Sequence, residues 1–156
     1  MKSINFESGT SIYVISDIHG GLHLLQELLE MIKPGNTLII LGDLIEKGEY
    51  SLATLEYVIE LSKSDNVYVV KGNNDEALVK VFSPEHLDYF LNRMSKPTSI
   101  VYEMIAKHQL KESPEQMHRR LANIYKEELQ WLDNLETLIE TDDFIFVHAG
   151  IDNIPD

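Results

Sequence analysis

The stretch IYVISDIHGGLHLL, Ile12 to Leu25, decides how the rest of the chain is read. An apolar run from Ile12 to Ile15 ends in Ser16, and Asp17 and His19 then flank a single isoleucine. Two glycines follow, after which Leu22, Leu25, Leu29 and Ile32 recur at helical spacing until Pro34-Gly35 stops the helix. The pattern is a buried strand, a tight polar loop and an amphipathic helix, and it returns. Thr37–Leu41 and Val67–Val70 are short apolar runs of the kind found in buried parallel strands. Between them Leu52, Leu55, Val58 and Ile59 mark a second helix, with Ser51 its expected N-cap. The prediction is a β-α-β-α-β series with strands at Ile12–Ser16, Thr37–Leu41 and Val67–Val70 and right-handed crossovers.

From Asp75 to Thr141 the character changes to helical and polar, with breaks at Pro84, Pro97 and Pro114 and no strand expected. A last helix is expected over roughly Pro114 to Leu138, with Met117, Leu121, Leu132 and Leu135 facing inward. FIFVHAG, Phe144 to Gly150, is a further strand ending in a polar residue and glycine. The expectation is one domain over residues 1–156 with a helical insertion at about 75–141. Asp156 follows HAGIDNIP almost at once, so one sheet edge is expected to lack its closing strands.

A chain of 156 residues can bury about 70% of its surface in a single core. Its 44% hydrophobic and 25% charged residues are an ordinary globular balance. With no cysteine, disulfides and thiolate metal sites are excluded. No signal-peptide h-region opens the chain and no apolar run approaches ~18 residues, so a soluble cytoplasmic protein without a membrane partner is expected. The net charge of -13 repels a nucleic-acid backbone, and the densest basic spot, His118-Arg119-Arg120, reads as a solvated helix turn. Phosphates remain within reach of so acidic a chain if a cation mediates.

Each expected strand is followed by a residue able to ligate a hard or borderline metal ion. The first gives Asp17 and His19, the second Asp43 in ILGDLIEKG, the third Asn73 in VVKGNNDE and the fourth His148 in FVHAG. Singly, each has a blander reading: Asp and Asn are common turn and cap residues, and a histidine at a strand end is commonly just hydrogen-bonded. Together, five such residues at successive strand ends favour a shared crevice, since ligands collect at the carboxyl ends of strands in open α/β sheets. A carboxylate, imidazole and amide set without thiolate suits Mn, Fe, Zn or Co. Asp43, with two oxygens and a permissive Gly42 before it, is the natural bridge between two ions. His23, His86, His108 and His118 fall in expected helices and read as packed or solvated side chains.

DIHG, GDLIEKG, GNNDE and FVHAGI, in that order, resemble the blocks of the calcineurin-like metallophosphoesterases. The phosphoprotein phosphatase branch, with its bacterial serine/threonine phosphatases and diadenosine tetraphosphate hydrolases, is the part resembled. The resemblance runs from about Ile12 to the end of the chain. It implies an α/β fold, a two-sheet β-sandwich flanked by helices in four α-β-β-α layers, and two divalent metal ions. Manganese is expected first, with Fe, Zn, Co and Ni as alternatives. By the resemblance Asp17, His19 and Asp43 hold one ion, and Asp43, Asn73 and His148 the other.

Three positions depart from the family pattern. Where it has Gly-Asp-x-x-Asp-Arg-Gly, this chain has Glu46 and Lys47; where it has Gly-Asn-His, this chain has Asn74. The resemblance makes these the catalytic positions, with Lys47 and Asn74 also contacting substrate. The arginine fork becomes a point charge at Lys47, and the histidine acid becomes an amide that cannot give up a proton. The family also supplies a histidine downstream of His-Ala-Gly. The sequence stops first, so either the polypeptide is a fragment or its second metal site is one ligand short.

The resulting expectation is a metal-dependent phosphoester hydrolase in which the ions lower the pKa of a water between them. Lys47 attracts the phosphate, and the leaving group takes its proton from water, Glu76 or Asp75. Phosphoproteins, dinucleoside polyphosphates and small phosphomonoesters all remain open as substrates. The alternative is a non-catalytic descendant that binds metal or phosphate as a sensor or partner-binding module. Nucleotide-loop and aspartyl-phosphate chemistries fit poorly, since Gly-x-Gly-x-x-Gly, a Walker motif and a second Asp beside Asp17 are all missing.

Overall fold

A computed structural model describes residues 2–4, 6 and 9–150. Its elements run β1 (Lys2–Ser3), β2 (Ile12–Ile15), α1 (Leu22–Glu30), β3 (Thr37–Ile40), α2 (Ser51–Leu61), β4 (Val67–Val69) and α3 (Asn73–Val81). They continue α4 (Leu87–Met94), α5 (Ile100–Lys107), α6 (Pro114–Ile124), α7 (Lys126–Asp133), β5 (Leu138–Glu140) and β6 (Ile145–Val147). The sequence end, residues 151–156, lies outside the described residues, and with it the expectation about closing strands.

The parallel strands β2, β3 and β4 lie side by side in chain order, with Ile15 beside Ile40 and Ile40 beside Val69. Right-handed crossovers between strands in consecutive order carry their helices to the same face. Period-two alternation then sorts the side chains. Tyr13, Ile15, Leu38, Ile40, Val67 and Val69 join the core shared with the helices. Leu41, Tyr68 and Val70 join a smaller cluster with Ile4, Phe6, Ile139 and Phe146. Ile139 and Phe146 belong to a second sheet, ordered β1-β5-β6 and parallel in its first pairing, antiparallel in its second. Two sheets back to back, with helices over one outer face, make the sandwich the family resemblance implies. Beyond the second sheet no helix occurs among the described residues, and Phe144 and Ile145 are exposed.

Four expectations are corrected. Ile12–Ile15 is not wholly buried: among the described strands β2 pairs only with β3, and Val14 is 47% exposed. The long final helix is two, α6 and α7, broken at Tyr125, whose buried ring turns its hydroxyl to His108 Nε2 at 2.9 Å. Leu138, expected to end that helix, instead opens β5, a strand of three residues and too short to register as a run of its own. Ser51 is the first residue of α2 and not its cap; Tyr50 precedes it and makes no side-chain cap bond. Glu103 of α5 takes over, accepting from Ser51 N at 3.0 Å and Leu52 N at 2.9 Å. No helix among the described residues is long and apolar enough to cross a membrane.

Candidate metal centre

Three loops leave the carboxyl ends of β2, β3 and β4 and bond to one another before any side chain contributes. Asp17 N donates to Gly42 O at 3.2 Å, His19 N to Asp43 O at 2.9 Å and Gly20 N to Leu44 O at 2.9 Å. The second and third loops touch through glycine. A Cβ on Gly42 would lie 2.2 Å from Gly72 N, and one on Gly72 would lie 2.1 Å from Asp43 N, so no larger residue fits at either position. Asp75, fully buried, binds the junction: its carboxylate accepts from Asp43 N (2.9 Å), Leu44 N (3.0 Å) and Gly72 N (2.9 Å). Burial pushes its pKa up, opposed by those same three N–H groups.

The backbone is strained here. Asp17, His19, Asp43, Glu46 and Lys47 all have positive φ, between 47° and 70°. Left-handed conformations in residues other than glycine cost roughly 1–3 kcal/mol each and persist where surrounding structure holds them.

The strained loops bring side chains to one point. Ligand atoms of Asp17, His19 and Asp43 lie within 4.8 Å of one another. His19 Nε2 is 3.4 Å from Asp17 Oδ1 and 3.6 Å from Asp43 Oδ2. His148 Nε2 is 3.4 Å from Asp43 Oδ1 and 2.9 Å from Asn73 Oδ1. The two imidazoles therefore stand at different oxygens of one buried carboxylate. The Ser16 hydroxyl donates to Asp17 and, with His148, His19 and Lys47 nearby, holds its pKa below the ordinary carboxylate value against a small effect of burial.

The donor set fits divalent metal ions. Each histidine has Nδ1 against a backbone carbonyl, His19 on Ile45 O at 3.1 Å and His148 on Leu41 O at 2.6 Å. With the single N–H of a neutral ring given to that carbonyl, Nε2 presents a lone pair, the tautomer that metal-ligating histidines adopt. At His148 the lone pairs of Nε2, Asn73 Oδ1 and Asp43 Oδ1 then converge, an arrangement a cation completes. At His19 a cation is already in contact: Lys47 Nζ lies 2.7 Å from Nε2.

The residues at the three positions that depart from the family pattern meet different partners. Asn74 donates to both oxygens of Asp43, from its backbone N at 2.9 Å and from Nδ2 at 2.6 Å. Glu46 pairs with Arg93 of α4. Lys47, Glu46, Asn74 and Arg93 line a cleft of about 550 Å³ that opens beside the cluster. The expectation that Asp75 could protonate a leaving group is corrected, because its carboxylate is committed to backbone N–H groups inside the protein. Glu76 pairs with Lys80 at 2.7 Å. The other histidines are packed: His23 edge-on to Tyr50, His86 stacked on Tyr89, His108 on Tyr125, and His118 buried between Phe82 and Phe90.

Two contributions escaped the sequence reading, the clamp made by Asp75 and the reach of Arg93. The clamp could have been found from the place of Asp75 in GNNDE, as the third residue of α3. Arg93 carries no local signal, since it reaches Glu46 across 47 residues.

A two-sheet α/β fold with a cluster of carboxylate, imidazole and amide donors at successive strand ends defines a class, and the comparisons agree. The family model of the calcineurin-like phosphoesterases matches residues 10–156, and the chain belongs to that family. Among curated proteins it is similar to a symmetrical bis(5'-nucleosyl)-tetraphosphatase of Vibrio campbellii, 32% identical over 142 residues covering 89% of this chain and 44% of that protein. The corresponding protein of Cronobacter sakazakii is 42% identical over 76 residues, 47% of this chain and 26% of that one. This chain thus spans less than half the length of these relatives. In fold it resembles the cold-active protein-tyrosine phosphatase of a psychrophilic Shewanella species, with TM-score 0.64, 21% identity and coverage of 97% and 45%. It also resembles a protein serine/threonine phosphatase of Saccharomyces cerevisiae, with TM-score 0.57, 18% identity and coverage of 92% and 39%.

Proposed function

We propose that this chain is the metal-binding part of a phosphoester hydrolase. The reading rests on one observation above all: two histidines, each oriented by a backbone carbonyl, address opposite oxygens of Asp43. Asp17, His19 and Asp43 would hold one divalent ion and Asp43, Asn73 and His148 a second, with manganese the ion to test first. Bound there, the ions would supply positive charge to phosphoryl oxygens and lower the pKa of a water so that, on losing its proton, it becomes a hydroxide nucleophile. The chain's own residues orient and bind. Lys47 adds a positive charge at the mouth of the cleft, and the Asn74 amide can donate a hydrogen bond but not a proton. The names of these relatives make dinucleoside polyphosphates and phosphoproteins the substrates to try.

The missing proton donor gives the test. General acids contribute about 10²–10⁴-fold, most for poor leaving groups. Manganese-loaded protein should therefore hydrolyse aryl phosphates measurably and alkyl phosphates hardly at all, and Asn74→His should raise the alkyl rate more than the aryl rate. The measurement is kcat/KM for both ester types. No hydrolysis of the aryl ester at saturating metal would overturn the reading and favour a descendant that only binds.

A further inference from the structure

We propose that Arg93 of α4 is a phosphate-binding residue, supplying the guanidinium that GDLIEKG lacks, and that the cleft it lines takes a chain of two or more phosphates. The proposal deepens the hydrolase reading and rests on it only for which phosphate is attacked.

Charge singles out the cleft. The chain has 13 Lys and Arg against 26 Asp and Glu, yet the lining of this cleft includes Lys47, Lys80, Arg93 and Lys96 and a single acid, Glu46. In a protein whose overall field repels anions, such a local reversal builds an anion site. At about 550 Å³ it falls within the range of small-molecule sites. Lys47 and Asn74 connect it to the candidate metal cluster, through His19 Nε2 and Asp43 Oδ2 respectively.

Glu46 and Lys47 then become one device. A lysine at position 47 offers a point charge where a planar fork would grip two phosphate oxygens. Glu46, with φ of 70°, pairs with Arg93 Nη1, and both side chains are largely shielded, at 14% and 19% exposure. Glu46 is thus a positioning residue: it fixes a guanidinium brought from α4 and engages one of its nitrogens, while the remaining N–H groups of the fork, with no partner among the described residues, can serve an anion. Lys80, also in the lining, is tied among the described residues only by a solvent-exposed pair with Glu76, which is worth little. Lys96 has no ion-pair partner among the described residues. A lone phosphate at the metal cluster would not need these outer cations, whereas a phosphate chain running from Lys47 would meet them.

Calorimetric titration with sodium tripolyphosphate and with orthophosphate, without added divalent metal, tests this. Tripolyphosphate should bind at least about tenfold more tightly than orthophosphate, and Arg93→Ala should weaken it by about tenfold or more. Arg93→Lys, which keeps the charge and guards against a folding defect, should recover only part of that loss. Lys96→Ala should weaken binding about threefold, and Lys111→Ala, an exposed charge elsewhere, should leave it unchanged. Unaltered tripolyphosphate binding in Arg93→Ala, or equal competition by a singly phosphorylated serine peptide, would overturn the proposal. Binding that needs Arg93 in a protein that hydrolyses no ester would leave the cleft standing and remove the hydrolase reading instead.

Discussion

The two sides of Asp43 are assembled by different means. On the Oδ2 side, Asp17 and His19 come from one loop that bonds along the next, within a single β-α-β unit. On the Oδ1 side, Asn73 opens α3 and His148 meets it from 75 residues away, after five helices and two strands of another sheet. The near side depends on neighbouring parallel strands. The far side depends on two sheets meeting through a core in which, among the described residues, only Ile4, Val70 and Ile139 are buried. A site with a rigid half and a dependent half should bind its ions unequally, and four sets of substitutions test that inequality.

Asp43→Asn strikes both halves and should have the largest effect. Metal-dependent hydrolysis should fall by about 10³-fold or more, and manganese titration should lose both binding events. A surviving tight event would mean that Asp43 is not shared. Next, Asp75→Ala strands three buried N–H groups and should lower stability by about 3 kcal/mol in urea unfolding. Loss of stability without disturbance of either binding event would detach the clamp from the site.

A subtler contrast separates the halves. His148→Ala should remove the weaker manganese event and His19→Ala the tighter one, each by about tenfold or more in affinity. Ile139→Ala, which thins the core between the sheets, should weaken only the event that His148 serves. Equal weakening of both would erase the distinction drawn here.

The smallest effect belongs to Glu103. Burial pushes its pKa up from 4.5, against hydrogen bonds from Leu52 and Ser51. A folded-state value raised in this way gives stability that is full below the unfolded value and lost as pH rises through the folded one. Wild type should therefore lose melting temperature relative to Glu103→Gln as pH climbs from 4.5. A constant difference would exclude the carboxyl as the source.

The near half was almost wholly legible in the sequence, and for a physical reason. Its strands are continuous apolar runs, and its polar residues follow within two or three positions, so local spacing encodes the geometry. His148 was marked by its strand end in FVHAG, but its place beside Asn73 and the two-sheet fold came from the resemblance, since no local pattern encodes them. Missed were the elements settled by distant contacts: β5, three residues paired with both β1 and β6; the break at Tyr125; and Arg93, whose partner lies in another block. Ser51 misled because a serine before an apolar helix has the same local appearance whether its hydroxyl caps the helix or, as here, accepts from Glu46 N at 2.9 Å.

That substitution of caps has a consequence for the order in which the chain can become native. The first two N–H groups of helix α2 donate to the carboxylate of a residue 52 and 51 positions later. At about 5–20 residues per second, a ribosome delivers that carboxylate some 2–8 seconds after the last residue of α2 has been made. Until then the first turn of α2, and the loop holding Lys47 against His19, lack their fastening. In refolding, amide protection at Ser51 and Leu52 should accordingly lag behind protection at Leu55 and Val58, and the parallel sheet should form before its catalytic edge closes.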